Sequence, residues 1–346
     1  MNKYLSNAAL DRRSALAALG AAGIEFWVDR RMEGEGLISM AANRLGRGAE
    51  NEPLAPFRKK TKEILQRRLS DPAFTGQLPA TEVQALSDGE GKPVPSLMAD
   101  LLPLAQTYAR PPISNYRVGA VARGASGALY FGANIEFPGQ ALGFAVHAEQ
   151  SALSNAYMHD EHGASAIAVT AAPCGHCRQF MTELSPEGSI EVIIPGKAPV
   201  KLSTLLPMAF GPKELGLDHG ALPVKETGLA LAGGVSDELI QTALAAARRS
   251  WAPYSKSPSG VGLQTKRGRV FRGSYIENVA FNPSLPPFET ALAGLILGGD
   301  DGAAIVRAVL VEIEGAAISQ RRVSEAALSA IAPGVTLQVV KARKPD

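Results

Sequence analysis

The feature that most constrains the fold of this 346-residue chain is an internal repeat. Residues 112–119 align with residues 253–260, and residues 132–136 align with residues 273–277. Both alignments have the same offset, since 253 − 112 and 273 − 132 each give 141. A constant offset over two separate segments indicates a duplicated structural unit. The sequence therefore predicts two copies of one unit, each with its own core, in agreement with a length above that of a typical single domain.

The first copy has the pattern of a mixed α/β unit. Alternating apolar residues on both sides of a Gly-containing turn predict a β-hairpin. A helix, a β-branched strand, a second helix and a further strand follow, and this order predicts a sheet with helices on its faces. The predicted elements are strands at 118–122 and 128–131, a helix from about His147 to His159, a strand at 166–170, a helix opened by Cys174, and a strand at 190–194.

Two short motifs in the first copy have the composition of a catalytic zinc site. His147 and Glu149 form an H-x-E motif, and Cys174 and Cys177, the two cysteines of the chain, form a C-x-x-C motif. A catalytic zinc site uses three protein ligands and leaves one position for water, whose pKa the metal lowers. We therefore predict one Zn²⁺ per chain, bound by His147, Cys174 and Cys177, with Glu149 as the proton carrier. Zinc-dependent nucleobase deaminases share this combination of motifs.

The second copy lacks these ligands. After a two-residue deletion, His147–Leu153 aligns with Pro286–Leu292, and no cysteine follows Cys177. The second copy is therefore predicted to keep the fold without binding zinc in the same way.

Two other interpretations of the cysteine motif remain open on the four residues alone. Cys174-Gly-His-Cys177 is also the sequence of a disulfide-isomerase redox pair, which likewise follows a strand and opens a helix. That interpretation does not explain His147 and Glu149, or the repeat. A closed structural zinc site with His176 as the fourth ligand would require His176 to fold back onto the metal held by its neighbours.

From about Leu101 to the C-terminus, the sequence resembles cytidine deaminases of the long, two-domain, homodimeric type found in enteric bacteria and plants. The resemblance implies a cytidine-deaminase-like three-layer α/β/α sandwich, duplicated, with a small N-terminal helical domain. The implied division is an extension of unknown role at 1–50, a helical domain at 51–98, a catalytic domain at 99–220, and a degenerate deaminase-like domain at 221–346. The segments that carry it are HAEQSA at 147–152, PCGHCRQFM at 173–181, AFGPK at 209–213, YSKSPSG at 254–260 and AFNPSLPP at 280–287.

The resemblance also implies the roles of individual residues. Glu149 would be the proton shuttle, and Asn134 and Glu136 would hold the ribose 3′-hydroxyl. Tyr116 would pack near the pyrimidine, the backbone at Ala148 would contact the base, and Phe210 would reach into the active site of a partner subunit. The active site of a homodimer would thus be shared between its subunits.

The sequence departs from this pattern at two positions. Tyr116 stands where the relatives carry Phe, which adds a hydroxyl group. Ala171 stands where they carry an aromatic residue, and the smaller side chain would loosen the pyrimidine pocket.

The activity implied is hydrolytic deamination of cytidine and 2′-deoxycytidine to uridine and 2′-deoxyuridine plus ammonia, in cytoplasmic pyrimidine salvage. The alternatives are a non-catalytic zinc-containing binding module of the same fold and a deaminase for another cytosine-containing substrate. A net charge of +2 and the lack of a cationic, aromatic-lined groove argue against a nucleic-acid partner. Two cysteines in one C-x-x-C motif exclude a disulfide framework and suit a reducing compartment.

The N-terminal region is less informative. Its most apolar run, Ala15–Val28, is too short to span a bilayer and is interrupted by Glu25, although Arg12 to Gly23 weakly resembles a signal or transit peptide. Residues 57–69 predict an amphipathic helix, residues 87–95 a connection, and residues 96–110 a further helix. We expect His159 and His162 to be exposed to solvent.

Overall fold

The computed structural model describes residues 53–184, 188–233 and 237–344. The predicted N-terminal extension, including the signal-like run, lies outside the described residues. Within the described part of the chain, no helix is both long and apolar enough to cross a membrane.

The first described segment is helical. The predicted amphipathic helix is confirmed as α1 (Lys59–Ser70), which begins two residues after Phe57. Leu65 and Leu69 are buried and Ile64 is half-buried, while most of the cationic side chains of α1 face outward. The predicted connection at 87–95 is shorter in the structure, where α2 continues to Glu90 and ends at Gly91 in the left-handed conformation (φ 65°). The elements are α1 (Lys59–Ser70), β1 (Gln77–Leu78), α2 (Ala80–Glu90), α3 (Val94–Asp100) and α4 (Leu102–Gln106).

The prediction of one helix over residues 96–110 is wrong. The structure has two short helices, α3 and α4, which meet at Leu101, and the second ends at Gln106. Pro103 explains the break, because a proline has no N–H to donate to the carbonyl four residues earlier.

The first sheet contains the predicted hairpin and the two later strands. Its strand order is β1-β3-β2-β4-β5-β6, with β4 and β5 parallel and the other pairs antiparallel. The first strand comes from the N-terminal helical segment, since Gln77 pairs with Tyr130 and Leu78 with Leu129. The elements are β2 (Gly119–Gly124), β3 (Leu129–Ala133), α5 (Ala148–Met158), β4 (Ala164–Val169), α6 (Gly175–Leu184), β5 (Glu191–Ile193), β6 (Val200–Lys201) and α7 (Leu202–Leu205).

The second sheet repeats the first. Its strand order is β7-β11-β10-β8-β9, with β10 and β11 parallel and the other pairs antiparallel. Strands β9-β8-β10-β11 therefore have the order and directions of β3-β2-β4-β5, which confirms the duplicated mixed α/β fold. The elements are β7 (Ala230–Leu231), α8 (Glu238–Arg248), β8 (Ser259–Thr265), β9 (Val270–Ser274), α9 (Pro287–Leu297), β10 (Ile305–Ile313), α10 (Arg321–Ile331) and β11 (Leu337–Arg343).

A glycine at equivalent positions of the two repeats lets a strand approach a helix closely. A Cβ at Gly132 would lie 2.1 Å from the backbone nitrogen of Ala152 in α5. A Cβ at Gly273 would lie 2.2 Å from the backbone nitrogen of Ala291 in α9. Both distances are far below van der Waals contact, so the first turns of α5 and α9 can pack on β3 and β9 only because these positions have no side chain.

Candidate active site

The three predicted zinc ligands come together at the start of two helices. His147 is the N-cap of α5, Cys174 immediately precedes α6, and Cys177 lies in its first turn. One ligand atom from each residue lies within 4.8 Å of the other two, and the Nδ1 atom of His147 is 3.5 Å from the Sγ atom of Cys174. Among the described residues, no other set of three or more His, Cys, Asp or Glu side chains forms such a group.

The local sequence explains why both helices begin here. His147 has extended backbone angles, and its N–H donates to the side-chain oxygen of Gln150 at 3.2 Å, which closes a capping box at the start of α5. Pro173 precedes the second helix, whose first N–H groups point toward Cys174. Unpaired N–H groups at a helix start favour a thiolate over a thiol.

A hydrogen bond between the two cysteine side chains shifts their pKa values in opposite directions. A hydrogen bond from the Cys177 thiol, together with backbone N–H groups, lowers the pKa of Cys174 to about 4. The same hydrogen bond, together with burial and the nearby charge of Glu149, raises the pKa of Cys177. A cation can replace the proton of such a hydrogen bond, and two thiolates with an imidazole are ligands that zinc prefers. The residues therefore fit a bound zinc ion.

Glu149 lies next to this group and is almost fully buried, with 4% of its surface exposed. Burial raises the pKa of its carboxyl group, while its own backbone N–H and the charge of His147 act in the opposite direction. A buried carboxyl group beside a reactive centre is typical of a general acid or base.

A cavity of about 320 Å³ opens onto these residues. Its lining includes seven of the nine predicted site residues and also Ala171. Cys177 is buried behind the cavity wall, and Phe210 lies outside the lining. The predicted residues that line it are Tyr116, Asn134, Glu136, His147, Ala148, Glu149 and Cys174.

Asn134 and Glu136 hold the loop that forms one wall of the cavity. The amide of Asn134 accepts from the Val118 N–H and donates to the Tyr116 carbonyl, both at 2.9 Å. The carboxylate of Glu136 accepts from the N–H groups of Ile113 at 2.7 Å and Ser114 at 2.9 Å, and from the Ser114 hydroxyl. Burial acts to raise the pKa of Glu136, but these donors lower it overall, which favours the ionised form.

The second repeat contains the same carboxylate arrangement. Glu277 accepts from the N–H groups of Tyr254 and Ser255 and from the Ser255 hydroxyl. The repeat has no zinc ligands, so the anchoring of this loop does not depend on catalysis. From the residues alone, Asn134 and Glu136 could equally be part of a strand-end turn, and only the resemblance assigned them to ribose. The hydrogen bonds of Glu136 to the preceding loop were not predicted, although the glutamate at both 136 and 277 was a signal for them. The equivalent of Asn134 is Tyr275, so the asparagine is particular to the first repeat.

Three further histidines lie outside the three-ligand group. His176 stacks on His147, with ring centroids 5.3 Å apart, and is not part of the three-ligand group. The predicted exposure of His159 is wrong, because its ring is half-buried and bonds to the Thr75 hydroxyl and the Asn155 carbonyl, each at 2.8 Å. Thr75 belongs to the N-terminal segment, whose contact with α5 the local sequence does not reveal. His162 is exposed, as predicted.

Family models and curated relatives similar to this chain are those of cytidine deaminases. Residues 95–191 and 202–325 each match a family model described as the cytidine and deoxycytidylate deaminase zinc-binding region. The cytidine deaminase of Salmonella dublin is 47% identical over 263 residues, which cover 76% of this chain and 88% of the relative. That of Cronobacter sakazakii is 46% identical over the same length. A solved cytidine deaminase from Burkholderia pseudomallei is 31% identical over 33% of this chain and 98% of its own, with a TM-score of 0.31.

Proposed function

This chain belongs to the cytidine deaminase family, and from that premise we propose which of its residues carry out the reaction. It is a zinc-dependent enzyme that hydrolyses cytidine to uridine and ammonia. One observation supports the assignment of residues most strongly: three ligand atoms lie within 4.8 Å of one another, beside a buried glutamate, on the wall of one cavity.

We assign zinc binding, one ion per chain, to His147, Cys174 and Cys177. The chemistry that zinc supplies when bound is a lowered pKa of water, so that hydroxide is available near neutral pH. His176 would support His147 through ring stacking and leave the fourth coordination position free.

Glu149 is assigned the proton transfers. Hydrolysis adds the oxygen of water to C4 of the pyrimidine and breaks the bond from C4 to the amino nitrogen, which leaves as ammonia. Glu149 takes one proton from the attacking water and delivers it to N3. It then takes the remaining proton of that water from the new C4 hydroxyl and delivers it to the amino nitrogen, which leaves as ammonia while C4 becomes the carbonyl carbon. A positioned general acid or base contributes roughly 10²–10⁴-fold to a rate.

The nucleoside is assigned to the remaining cavity residues. The amide nitrogen of Asn134 uses one hydrogen for the Tyr116 carbonyl and has a second for the ribose 3′-hydroxyl. Glu136 likewise has acceptor capacity beyond its three loop contacts. Tyr116 would face the pyrimidine, and the N–H of Ala148, in the first turn of α5, has no partner within the helix and could bond to the base.

We further propose that two chains form a homodimer with shared active sites. Phe210 has 45% of its surface exposed, and its carbonyl accepts from the side chain of Gln179. A monomer that exposes many large apolar side chains around one site usually has a partner there. The exposed apolar side chains on the loops near the cavity and α6 are Ile113, Tyr116, Leu142, Met208, Phe210 and Phe281.

We also propose that the enzyme acts on 2′-deoxycytidine, serves pyrimidine salvage in the cytoplasm and has no nucleic-acid partner. We propose that the chain divides into segments 1–50, 51–98, 99–220 and 221–346. The two cysteines are free thiols, which suits a reducing compartment and supports the cytoplasmic location. The position of one sheet before and one after residue 220 supports the main boundary.

The experiment is an ultraviolet assay of cytidine conversion by the purified protein and by Glu149→Gln, with zinc measured in both. We expect the variant to retain zinc and lose turnover. A Glu149→Gln protein that still deaminates cytidine at the parent rate would contradict the assignment of the proton shuttle. A Cys177→Ser protein that retains full zinc would contradict the ligand set.

A further inference from the structure

The helix that carries Cys177 is held from the second repeat by a buried carboxylate. Glu183, in the last turn of α6, has none of its surface exposed. One carboxylate oxygen accepts from the indole N–H of Trp251 at 2.6 Å and the hydroxyl of Tyr254 at 2.7 Å. The other accepts from the backbone N–H of Val279 at 2.8 Å. All three donors belong to the second repeat.

A second contact lies one turn earlier on the same helix. The amide of Asn278 donates to the Gln179 carbonyl at 3.0 Å, and the side chain of Gln179 donates to the Phe210 carbonyl at 2.6 Å. Residues 179 and 183 are four apart and therefore lie on one face of α6. That face is bonded to the second repeat along two turns.

The helix that follows His147 is tied to the second repeat as well. The side chain of Gln150 donates to the Pro283 carbonyl at 3.2 Å. At the other end of α5, the hydroxyl of Tyr157 donates to the Arg249 carbonyl. Both zinc-bearing helices are thus fixed to the same repeat, which itself has no metal ligands.

We propose that the second repeat holds the two zinc-bearing helices in register, and that Glu183 is the positioning residue for Cys177. This inference rests on the proposed zinc ligands. The ligand atoms lie at or before the first turns of α5 and α6, so the distances between them depend on how the two helices lie relative to each other. Charge-assisted hydrogen bonds between buried groups restrict that arrangement more than neutral bonds do. Replacement of residues hydrogen-bonded directly to metal ligands commonly changes metal affinity by about 10–100-fold. Glu183 acts on Cys177 through α6, so we expect an effect at the lower end of that range.

Glu183→Gln is the variant that tests the proposal. The amide oxygen of glutamine can still accept from Trp251 and Tyr254. The amide nitrogen would then face the N–H of Val279, and because both groups are donors, the hydrogen bond to Val279 is lost. The change keeps the size of the side chain and removes one bond between α6 and the second repeat.

The chain offers a matched control in Glu312 of β10, which is also buried, with 3% of its surface exposed. Its carboxylate accepts from the Ser319 hydroxyl, the Gln320 N–H and the Lys341 ammonium group. These donors all belong to the second repeat, and none of them is on α5 or α6. Glu312→Gln therefore perturbs a comparable buried carboxylate without touching a zinc-bearing helix.

The measurements are the rate of zinc release to a chelator, the absorption spectrum of the cobalt-substituted protein, and thermal unfolding of the metal-free protein. We expect Glu183→Gln to release zinc at least about tenfold faster than the parent and to shift the cobalt bands, which report on ligand geometry. Glu312→Gln should lower the unfolding temperature of the metal-free protein while zinc release and the cobalt spectrum stay at the parent values.

Two outcomes would overturn the proposal: parent-like zinc release and cobalt bands in Glu183→Gln, or equal changes in both variants. If Glu183→Gln does not fold, Tyr254→Phe can replace it, because this change removes a single donor to the same carboxylate. Tyr254→Phe should also speed zinc release, and an unchanged rate would overturn the proposal. Cys177→Ser distinguishes failure of the ligand assignment from failure of the positioning role. If Cys177→Ser retains zinc, the ligand assignment is wrong. If Cys177→Ser loses zinc but Glu183→Gln leaves zinc release and the cobalt spectrum unchanged, only the positioning role is wrong.

Discussion

Glu136 and Glu277 lie 141 positions apart and accept equivalent hydrogen bonds. Each glutamate accepts from two backbone N–H groups and one serine hydroxyl of the preceding loop. The two loops also share a positive backbone angle, with φ 56° at both Asn115 and Lys256. The proposed zinc ligands all belong to the first repeat, and residues 221–346 contain neither histidine nor cysteine. This carboxylate is therefore part of the framework of the fold, and the substrate contact that we propose for Glu136 would be an addition particular to the first repeat.

Substitution of these two glutamates should separate the two roles. Both variants should lower the free energy of unfolding, because one loop N–H loses its acceptor in each. We expect about 0.5–1.5 kcal/mol for Glu136→Gln, whose N–H partners are exposed, and about 1–3 kcal/mol for Glu277→Gln, whose N–H partners are half-buried. Only Glu136→Gln should also raise the KM for cytidine. Urea unfolding and steady-state kinetics on the two variants check this, and an unchanged KM in Glu136→Gln would remove Glu136 from the proposed substrate contacts.

Ala171 is a position where affinity could be gained. It lines the cavity of about 320 Å³ in which we propose that cytidine binds, and its methyl group fills less of that cavity than an aromatic ring would. Ala171→Phe should lower the KM for cytidine by up to about tenfold, since contact over some 50 Å² of apolar surface is worth about 1 kcal/mol. The turnover number should change little. Ala171→Leu is the non-aromatic control, and a higher KM in both variants would show that the cavity needs the space.

The proposed sharing of active sites can be tested by mixing two impaired variants. Phe210→Ala keeps Glu149, and Glu149→Gln keeps Phe210. If Phe210 acts in the partner subunit, a mixed dimer contains one complete site, and subunit exchange should raise activity above the average of the two separate proteins. A mixture that stays at that average after exchange, confirmed by native mass spectrometry, would place Phe210 outside the partner's site.

Glu289 should make stability depend on pH. It is the counterpart of Gln150, but the residue at its helix start is Pro286, which has no N–H to donate, and one of its carboxyl oxygens is buried without a partner. Burial raises the pKa of Glu289 to about 8. The folded chain therefore binds more protons than the unfolded chain between about pH 4.5 and pH 8, and this residue's contribution to stability falls as the pH rises through that window.

Glu289→Gln removes this titration. We expect the variant to be more stable than the parent by a few kcal/mol at pH 8.5, with a much smaller difference at pH 5. Urea unfolding at the two values measures the effect, with Glu312→Gln as a control for the loss of a buried carboxyl group. A difference between parent and Glu289→Gln that is independent of pH would contradict the prediction.

The sequence predicted the parts of this molecule that depend on fixed spacing. The hairpin and the repeat are encoded by residues at set offsets, so they could be located without coordinates, as could the His147, Cys174 and Cys177 group that we propose binds zinc. The break at Pro103, the burial of His159 and the loop-holding role of Glu136 depend on backbone hydrogen bonding or on contacts between distant segments. The links from Glu183 to Trp251 and Tyr254 are of the same kind, because they join residues 68 and 71 positions apart.

The two-residue strand β1 has a consequence for how the catalytic unit can be isolated. Gln77 and Leu78 cover the outer edge of β3, and the Gly76 carbonyl accepts from the Phe131 N–H at 2.8 Å. A fragment that starts at residue 99 would leave this row of N–H and carbonyl groups open to water and to other chains. Open strand edges pair with strands of other chains, so we expect such a fragment to self-associate through β3. Strand β1 prevents this pairing by occupying the edge of β3.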